Sequence, residues 1–169
     1  MTTLAYVGLG SNLAHPRRRI ARALQSLARL PATRVVRVSR NYLTAPLGAS
    51  DAQPDYVNAV AALATRLPPR ALLAQLQAIE RRQKRRRTAD TPRNAARTLD
   101  LDLLLYGDRR MQSATLTIPH PRMHQRAFVV RPLVDIAPAV RIPSKGLARS
   151  FQRSLRGQRI APTRRHYLH

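Results

Sequence analysis

The sequence predicts an α+β layer fold in a single domain, on three observations. Strand-like and helix-like segments alternate without a sustained parallel βαβ pattern. The 169 residues are enough for one compact core without staples. No internal repeat or low-complexity block interrupts them. Leu4 to Leu9 reads as a short apolar strand ending in Gly8-Leu9-Gly10-Ser11-Asn12-Leu13, whose glycines and polar tip predict a turn where backbone can approach a ligand. From Pro16 to Leu30, apolar residues at Ile20, Ala23, Leu24, Leu27 and Leu30 recur at helical spacing with arginines outside. Val35, Val36, Val38 and Tyr42 predict a strand, broken by Thr44-Ala45-Pro46-Leu47-Gly48 before a loop that runs to Pro54. Tyr56 to Leu63 is a second strand candidate.

Pro68 or Pro69 can open a helix that Leu72, Leu73, Leu76 and Ile79 continue to about Arg82, with Gln77 and Glu80 on one face. The segment Arg81 to Arg97 is dense in arginine, poor in apolar residues and carries Pro92, which predicts a loop: either a solvated linker or a lid over an anionic ligand. Leu116 to Ile118 is a short strand before Pro119-His120-Pro121-Arg122-Met123-His124-Gln125-Arg126-Ala127-Phe128, and the apolar run Phe128 to Ile136 belongs to the core. Near the C-terminus Leu147, Phe151 and Leu155, spaced by four, predict a helix followed by a basic end.

Only 8 acidic residues face 31 basic ones, for a net charge of +23. Such a charge raises a nucleic acid as partner. Yet the cations are arginines spread along the whole chain, with lysine only at Lys84 and Lys145, and usage bias or an anionic small substrate accounts for them equally. With no cysteine, a disulfide framework and a thiolate zinc site are excluded. The N-terminus lacks a basic leader and no apolar run approaches the ~18 residues of a membrane span. The expectation is a soluble, cytoplasmic protein.

Against that scarcity of acids, Asp100 and Asp102 stand in Arg97-Thr98-Leu99-Asp100-Leu101-Asp102-Leu103-Leu104-Leu105-Tyr106. Strand side chains alternate faces, so the two carboxylates share one face with Cα atoms roughly 6.5 to 7 Å apart at ~3.3 Å per residue. Leu99, Leu101, Leu103 and Leu105 are expected on the other face, in the core. The pair suits one or two hard cations; an exposed edge with two incidental aspartates is the alternative. The P-loop pattern is absent, and Gly8-Leu9-Gly10 lacks the third glycine of a dinucleotide fingerprint. A carboxylate pair for Mg²⁺, the arginine-rich loop, His120 and Arg126 could together clamp a triphosphate by charge. His120 taken alone reads equally as a structural residue at a strand end.

These segments resemble the 6-hydroxymethyl-7,8-dihydropterin pyrophosphokinase family. The likeness spans about residues 4 to 142 and rests on Gly10-Ser11-Asn12-Leu13, Thr44 to Gly48, Gln53-Pro54-Asp55-Tyr56-Val57-Asn58, Arg97 to Gly107 and Pro119 to Phe128, in the family order. Residues 143 to 169 lie beyond it, a basic segment with no assigned role. The resemblance implies a three-layer αβα sandwich around a mostly antiparallel sheet with a ferredoxin-like core. It implies transfer of diphosphate from ATP to the pterin hydroxymethyl group, leaving AMP, in folate biosynthesis, with two Mg²⁺ ions held by Asp100 and Asp102. Carried over by position, Arg97 and Arg85 or Arg87 would touch the phosphates; His120 and Arg126 would bind the triphosphate, with Gln77 and Glu80 near the nucleotide. Thr44, Leu47, Tyr56, Asn58 and Phe128 would form the pterin pocket, Tyr56 and Phe128 sandwiching the ring, and Asn12 would shape it. The implied protein is a monomer that needs neither nucleic acid nor membrane.

The chain departs from the family pattern at Arg93-Asn94-Ala95-Ala96, where many members have Arg-Trp-Gly-Pro, and at Ala45, a frequent proline. The loop before Asp100 is also longer, so altered lid closure is expected rather than lost chemistry. Two competing readings remain: a nucleic-acid module using the Arg81 to Arg97 loop, and a relative that kept the fold but lost efficient activity. Aromatic residues make up only 4% of the chain, which is poor for base stacking and weighs against the first.

Overall fold

A computed structural model describes residues 1–12, 15–45, 55–83 and 99–163. Strand β1 (Thr3–Ser11) leads to helix α1 (Pro16–Ala28), strands β2 (Thr33–Val38), β3 (Tyr42–Thr44) and β4 (Tyr56–Thr65), helix α2 (Pro69–Gln83) and strand β5 (Asp100–Tyr106). The short strands β6 (Met111–Gln112) and β7 (Thr117–Ile118) pair with each other before helix α3 (Ala127–Ile136). A hairpin of β8 (Arg141–Ile142) and β9 (Gly146–Leu147), two 3₁₀ turns and strand β10 (Ile160–Pro162) complete it.

The main sheet runs β10-β3-β4-β1-β5, with β2 also on β4, and each of its described pairings is antiparallel. The order of β1, α1, β2 and β3, β4, α2 and β5 is that of a ferredoxin-like βαββαβ unit. One face carries Val7, Leu9, Ala59, Leu63 and Leu101 against Ile20, Ala23 and Leu27 of α1 and Leu72, Leu76 and Ile79 of α2. The other carries Tyr6, Val60, Ala62 and Leu104 against Val129 and Leu133 of α3 and Met123. Three layers result. Covered on both sides, β4 has no polar alternation and reads as one apolar, alanine-rich run.

Proline opens both long helices, since its missing N–H would have no intrahelical partner at that position. Gln83 at the end of α2 donates to the Arg19 carbonyl of α1 at 3.2 Å, and the Tyr106 hydroxyl donates to the Leu67 carbonyl at 2.5 Å, tying β5 to the approach to α2.

Four sequence expectations need correction. Gly8 and Gly10 belong to strand rather than turn: β1 continues through Ser11. The stretch from Val35 to Tyr42 is two strands, because Ser39 turns inward and its hydroxyl accepts the Val60 N–H at 2.9 Å. Leu105 does not share a face with Leu101 and Leu103. A bulge lets Tyr6 pair Leu105 while Val7 pairs Leu103, so Leu104 is the extra residue and Leu105 swings to the α3 side. The stretch around Leu147, Phe151 and Leu155 forms 3₁₀ turns, Ala148–Phe151 and Arg153–Leu155, in place of a helix. The apolar run from Phe128 to Ile136 is core as expected, as helix α3. Among the described residues no helix is long and apolar enough to cross a membrane.

Leu76 is fully buried between α2 and the sheet. Leu76→Ala is expected to lower stability by about 2 to 4 kcal/mol, read as a drop in the urea midpoint with the slope unchanged.

Candidate functional site

Directly paired residues of an antiparallel ladder point to the same face. The register Tyr42↔Asn58, Asn58↔Gly10 and Gly10↔Asp100, flanked by Thr44↔Tyr56 and Gly8↔Asp102, therefore draws one polar row across β3, β4, β1 and β5. The row lies on the α3 side of the sheet. Asp100 and Asp102 share that face at its β5 edge, both half-buried, as the alternation predicts. Thr44, Tyr56 and Asn58 take the other end.

Asn58, 6% exposed, donates from Nδ2 to Thr44 Oγ1 at 2.6 Å. Its other amide atom explains Gly10. A Cβ at Gly10 would stand 2.7 Å from Asn58 Oδ1, so the carboxamide lies across the strand only because residue 10 has no side chain. At Gly8 a Cβ would meet Leu104 at an ordinary 3.5 Å. Beside this pair Tyr42 is fully buried and its hydroxyl donates to Asp135 of α3, with Arg40 Nε 3.7 Å from the same carboxylate oxygen. Burial and the Asp135 hydrogen bond push the Tyr42 phenol upward, so it remains a donor.

His120 is fixed against β5 by its own N–H, which donates to the Leu104 carbonyl at 2.9 Å. Its Nδ1 accepts the Arg122 N–H at 3.2 Å, which assigns the imidazole proton to Nε2. Burial lowers its pKa below the ordinary 6.5; the Asp102 charge opposes this, while Arg126 and Arg122 add to it. A neutral imidazole with a donating Nε2 results. His120 and Asp102 line one cavity of about 270 Å³ together with Leu73, Leu101 and Leu116. The Arg126 guanidinium stands 5.5 Å over the Phe128 ring at the start of α3.

The fold thus gathers Asp100, Asp102, His120 and Arg126 at one end, and Thr44, Tyr56 and Asn58 at the other. Gln77 and Glu80 do not join this face: α2 covers the opposite side of the sheet. They continue the helix stripe of Leu73, which reaches the cavity, with Gln77 exposed and Glu80 half-buried. Asn12, directly after β1, is buried. Leu47, Arg85, Arg87 and Arg97 lie outside the described residues. Sequence reasoning missed Tyr42, Asp135 and the role of Gly10. Two glycines spaced by two in an apolar run were the available signal, because that spacing puts both on one strand face.

The family described as 7,8-dihydro-6-hydroxymethylpterin-pyrophosphokinase matches residues 6–138. The 2-amino-4-hydroxy-6-hydroxymethyldihydropteridine pyrophosphokinase of Pseudomonas aeruginosa is 51% identical over 143 residues, 85% of this chain and 86% of the relative. That of Haemophilus influenzae is 48% identical over 140 residues, 83% and 85% of the two chains. The solved Plasmodium falciparum HPPK-DHPS with pterin and p-hydroxybenzoate superposes with a TM-score of 0.69 at 14% identity, a likeness of fold. It covers 91% of this chain, which spans 43% of that longer one.

Gly10→Ala is expected to break the Asn58–Thr44 hydrogen bond and lower stability by about 1 to 3 kcal/mol. Gly8→Ala should stay within about 1 kcal/mol. Urea titration checks both, with the Asn58 side-chain amide signals in ¹⁵N NMR reporting the displaced carboxamide.

Proposed function

The chain belongs to the 7,8-dihydro-6-hydroxymethylpterin-pyrophosphokinase family, ATP-dependent diphosphotransferases of folate biosynthesis, and from that premise we propose which of its side chains carry the reaction. The reaction moves the β,γ-diphosphate of ATP to the hydroxymethyl group of 6-hydroxymethyl-7,8-dihydropterin. The hydroxyl oxygen bonds to the β-phosphorus, the bond from that phosphorus to the oxygen bridging the α-phosphate breaks with its electron pair leaving on AMP, and the hydroxyl proton is released.

We assign the nucleotide end to Asp100, Asp102, His120 and Arg126. Asp100 and Asp102 would hold two Mg²⁺ ions. Two hard oxygen donors on one strand face suit magnesium, which takes one or two carboxylates and completes its octahedron with phosphate oxygens and water. Among the described residues no three His, Asp or Glu side chains group to hold a metal, so the remaining ligands would come from ATP and water. The ions when bound supply neutralisation of the phosphate charge. His120, with its proton on Nε2, would donate to a phosphate oxygen. Arg126 would add a guanidinium, Arg97 and Arg85 or Arg87 would touch the phosphates, and Gln77 and Glu80 would lie near the nucleotide from the side of α2.

At the other end, Tyr56 and Phe128 would sandwich the flat pterin while Asn58 and Thr44 meet its donor and acceptor edge, with Leu47 and Asn12 completing the pocket. What supports this reading is the register, in which Asp100, Gly10 and Asn58 stand side by side, so that an ATP phosphate over the carboxylates would lie next to a pterin over Asn58. We further propose that residues 1–169 act as one domain and a monomer, and that the enzyme works in the cytoplasm, since a cysteine-free chain needs no oxidising compartment.

Phosphorus NMR of the protein with Mg²⁺-ATP and 6-hydroxymethyl-7,8-dihydropterin should show AMP and the pterin diphosphate rising together; ADP, or AMP without pterin, would refute the reaction. Asp100→Ala and Asp102→Ala should each lower kcat by more than about a hundredfold, as loss of metal-borne charge stabilisation implies. Their unfolding midpoints should stay near that of the parent, and retained turnover in both would refute the metal assignment.

A further inference from the structure

Residues 143–163 fall beyond both the family match and the sequence resemblance, yet they pack against α3 and pair with β3. The 3₁₀ turns lie along α3, with Leu155 and Phe151 packed beside Ala127 and Val130. Then β10 adds an edge strand to β3, with Ile160 opposite Thr44 and Pro162 opposite Tyr42, and the Thr163 N–H donates to the Asn41 carbonyl at 2.9 Å. Arg159 Nη2 reaches both carboxylate oxygens of Asp55 at 3.1 Å, next to Tyr56. Three contacts thus join this segment to the elements proposed to hold the pterin.

Their weights differ. The Asp55–Arg159 pair has side chains 40% and 73% exposed, and such surface pairs contribute little. Gln158 does more. Its Oε1 accepts the Ala127 N–H at 2.8 Å and its Nε2 donates to the Gln125 carbonyl at 2.8 Å. One carboxamide therefore grips the backbone on both sides of Arg126, as a neighbouring strand would. Arg126 is where the chain passes from extended backbone, φ −122° and ψ 112°, into α3, and its carbonyl accepts the N–H groups of Val129 and Val130. No side chain of Arg126 itself caps the helix, so Gln158 supplies the partner for the first helical N–H. The Gln158 N–H donates in turn to the Leu155 carbonyl at 3.0 Å. The directions in which Arg126 and Phe128 leave the backbone are set at this junction.

We propose that Gln158 is a positioning residue of the diphosphate transfer, its carboxamide fixing the Arg126 junction and with it the Phe128 side chain that closes the pterin site. This rests on the reading of Phe128 as a wall of that site. Gln158 touches no substrate and acts through Phe128.

The test is a double-mutant cycle in the full-length protein, with the KM for pterin measured at saturating Mg²⁺-ATP and urea unfolding run in parallel. Phe128→Ala should raise that KM about tenfold and Gln158→Ala about fivefold, while the double variant should match Phe128→Ala alone, since coupled residues are not additive. Gln158→Met, which keeps the chain length and removes both hydrogen bonds, should reproduce Gln158→Ala and serves if the alanine variant folds poorly. Unchanged KM in the Gln158 variants, or a double variant whose effect is the product of the singles, overturns the proposal while leaving the pocket intact. Unchanged KM in Phe128→Ala overturns the pocket reading, and the proposal with it.

Discussion

The register of β1 between β4 and β5 is the constraint on which the site depends. Because side chains alternate with a period of two, a slip of one residue on either side of Gly10 would turn Asn58 or the aspartates to the face covered by α1 and α2. Burial prevents the slip. Val7 and Leu9 of β1, Ala59 and Leu63 of β4, and Leu101 and Leu103 of β5 all point to the face covered by α1 and α2, and a slip would exchange them for polar groups without partners. The apolar half of the sheet thereby fixes the polar half, and no separate interaction is needed to align the ends of the row.

That arrangement also shows which parts of the chain could be read in advance. Amphipathic spacing marked α1 and α2, and the Asp100–Asp102 pair was legible because a strand of known period puts both on one face. The glycines were misread because a strand glycine has no local signature: its reason, the Asn58 carboxamide, is 48 residues away and visible only through the pairing. The bulge at Leu104 was equally hidden, since Leu103, Leu104 and Leu105 are chemically identical and only the register against Tyr6 and Val7 distinguishes them. Gln158 had no pattern at all. A single carboxamide that pairs with two backbone groups more than thirty residues away is a tertiary fact.

With so few acids in the chain, where they stand is informative. Asp135 anchors Tyr42 and so joins α3 to β3; Asp55 meets Arg159 at the start of β4; Asp100 and Asp102 form the β5 end of the row. Four of the eight acidic residues of a protein of net charge +23 thus stand on or beside the strands of the polar row and on α3. The surplus of arginine provides an attractive field for a triphosphate but little local geometry, because exposed guanidiniums are screened and mobile. In the proposed site the geometry would come from the carboxylates and from His120, whose pKa burial lowers and whose Nδ1 accepts the Arg122 N–H.

Phosphoryl-type transfer demands little covalent help, so its rate depends on how well the two substrates are held in line. A β-sheet is suited to that demand, since neighbouring strands hold their residues at a fixed spacing of about 4.8 Å whatever the surface does. What a sheet cannot supply is the wall opposite its own face. In the site proposed for this protein that wall would start at the Arg126 junction, outside the sheet, where a helix begins without a side-chain cap from its own N-cap residue. Errors there are not corrected by strand pairing. A residue from the far end of the chain that fixes both flanks of the junction therefore contributes what the ferredoxin-like core lacks, and it does so where an error in angle is carried directly to the Phe128 ring.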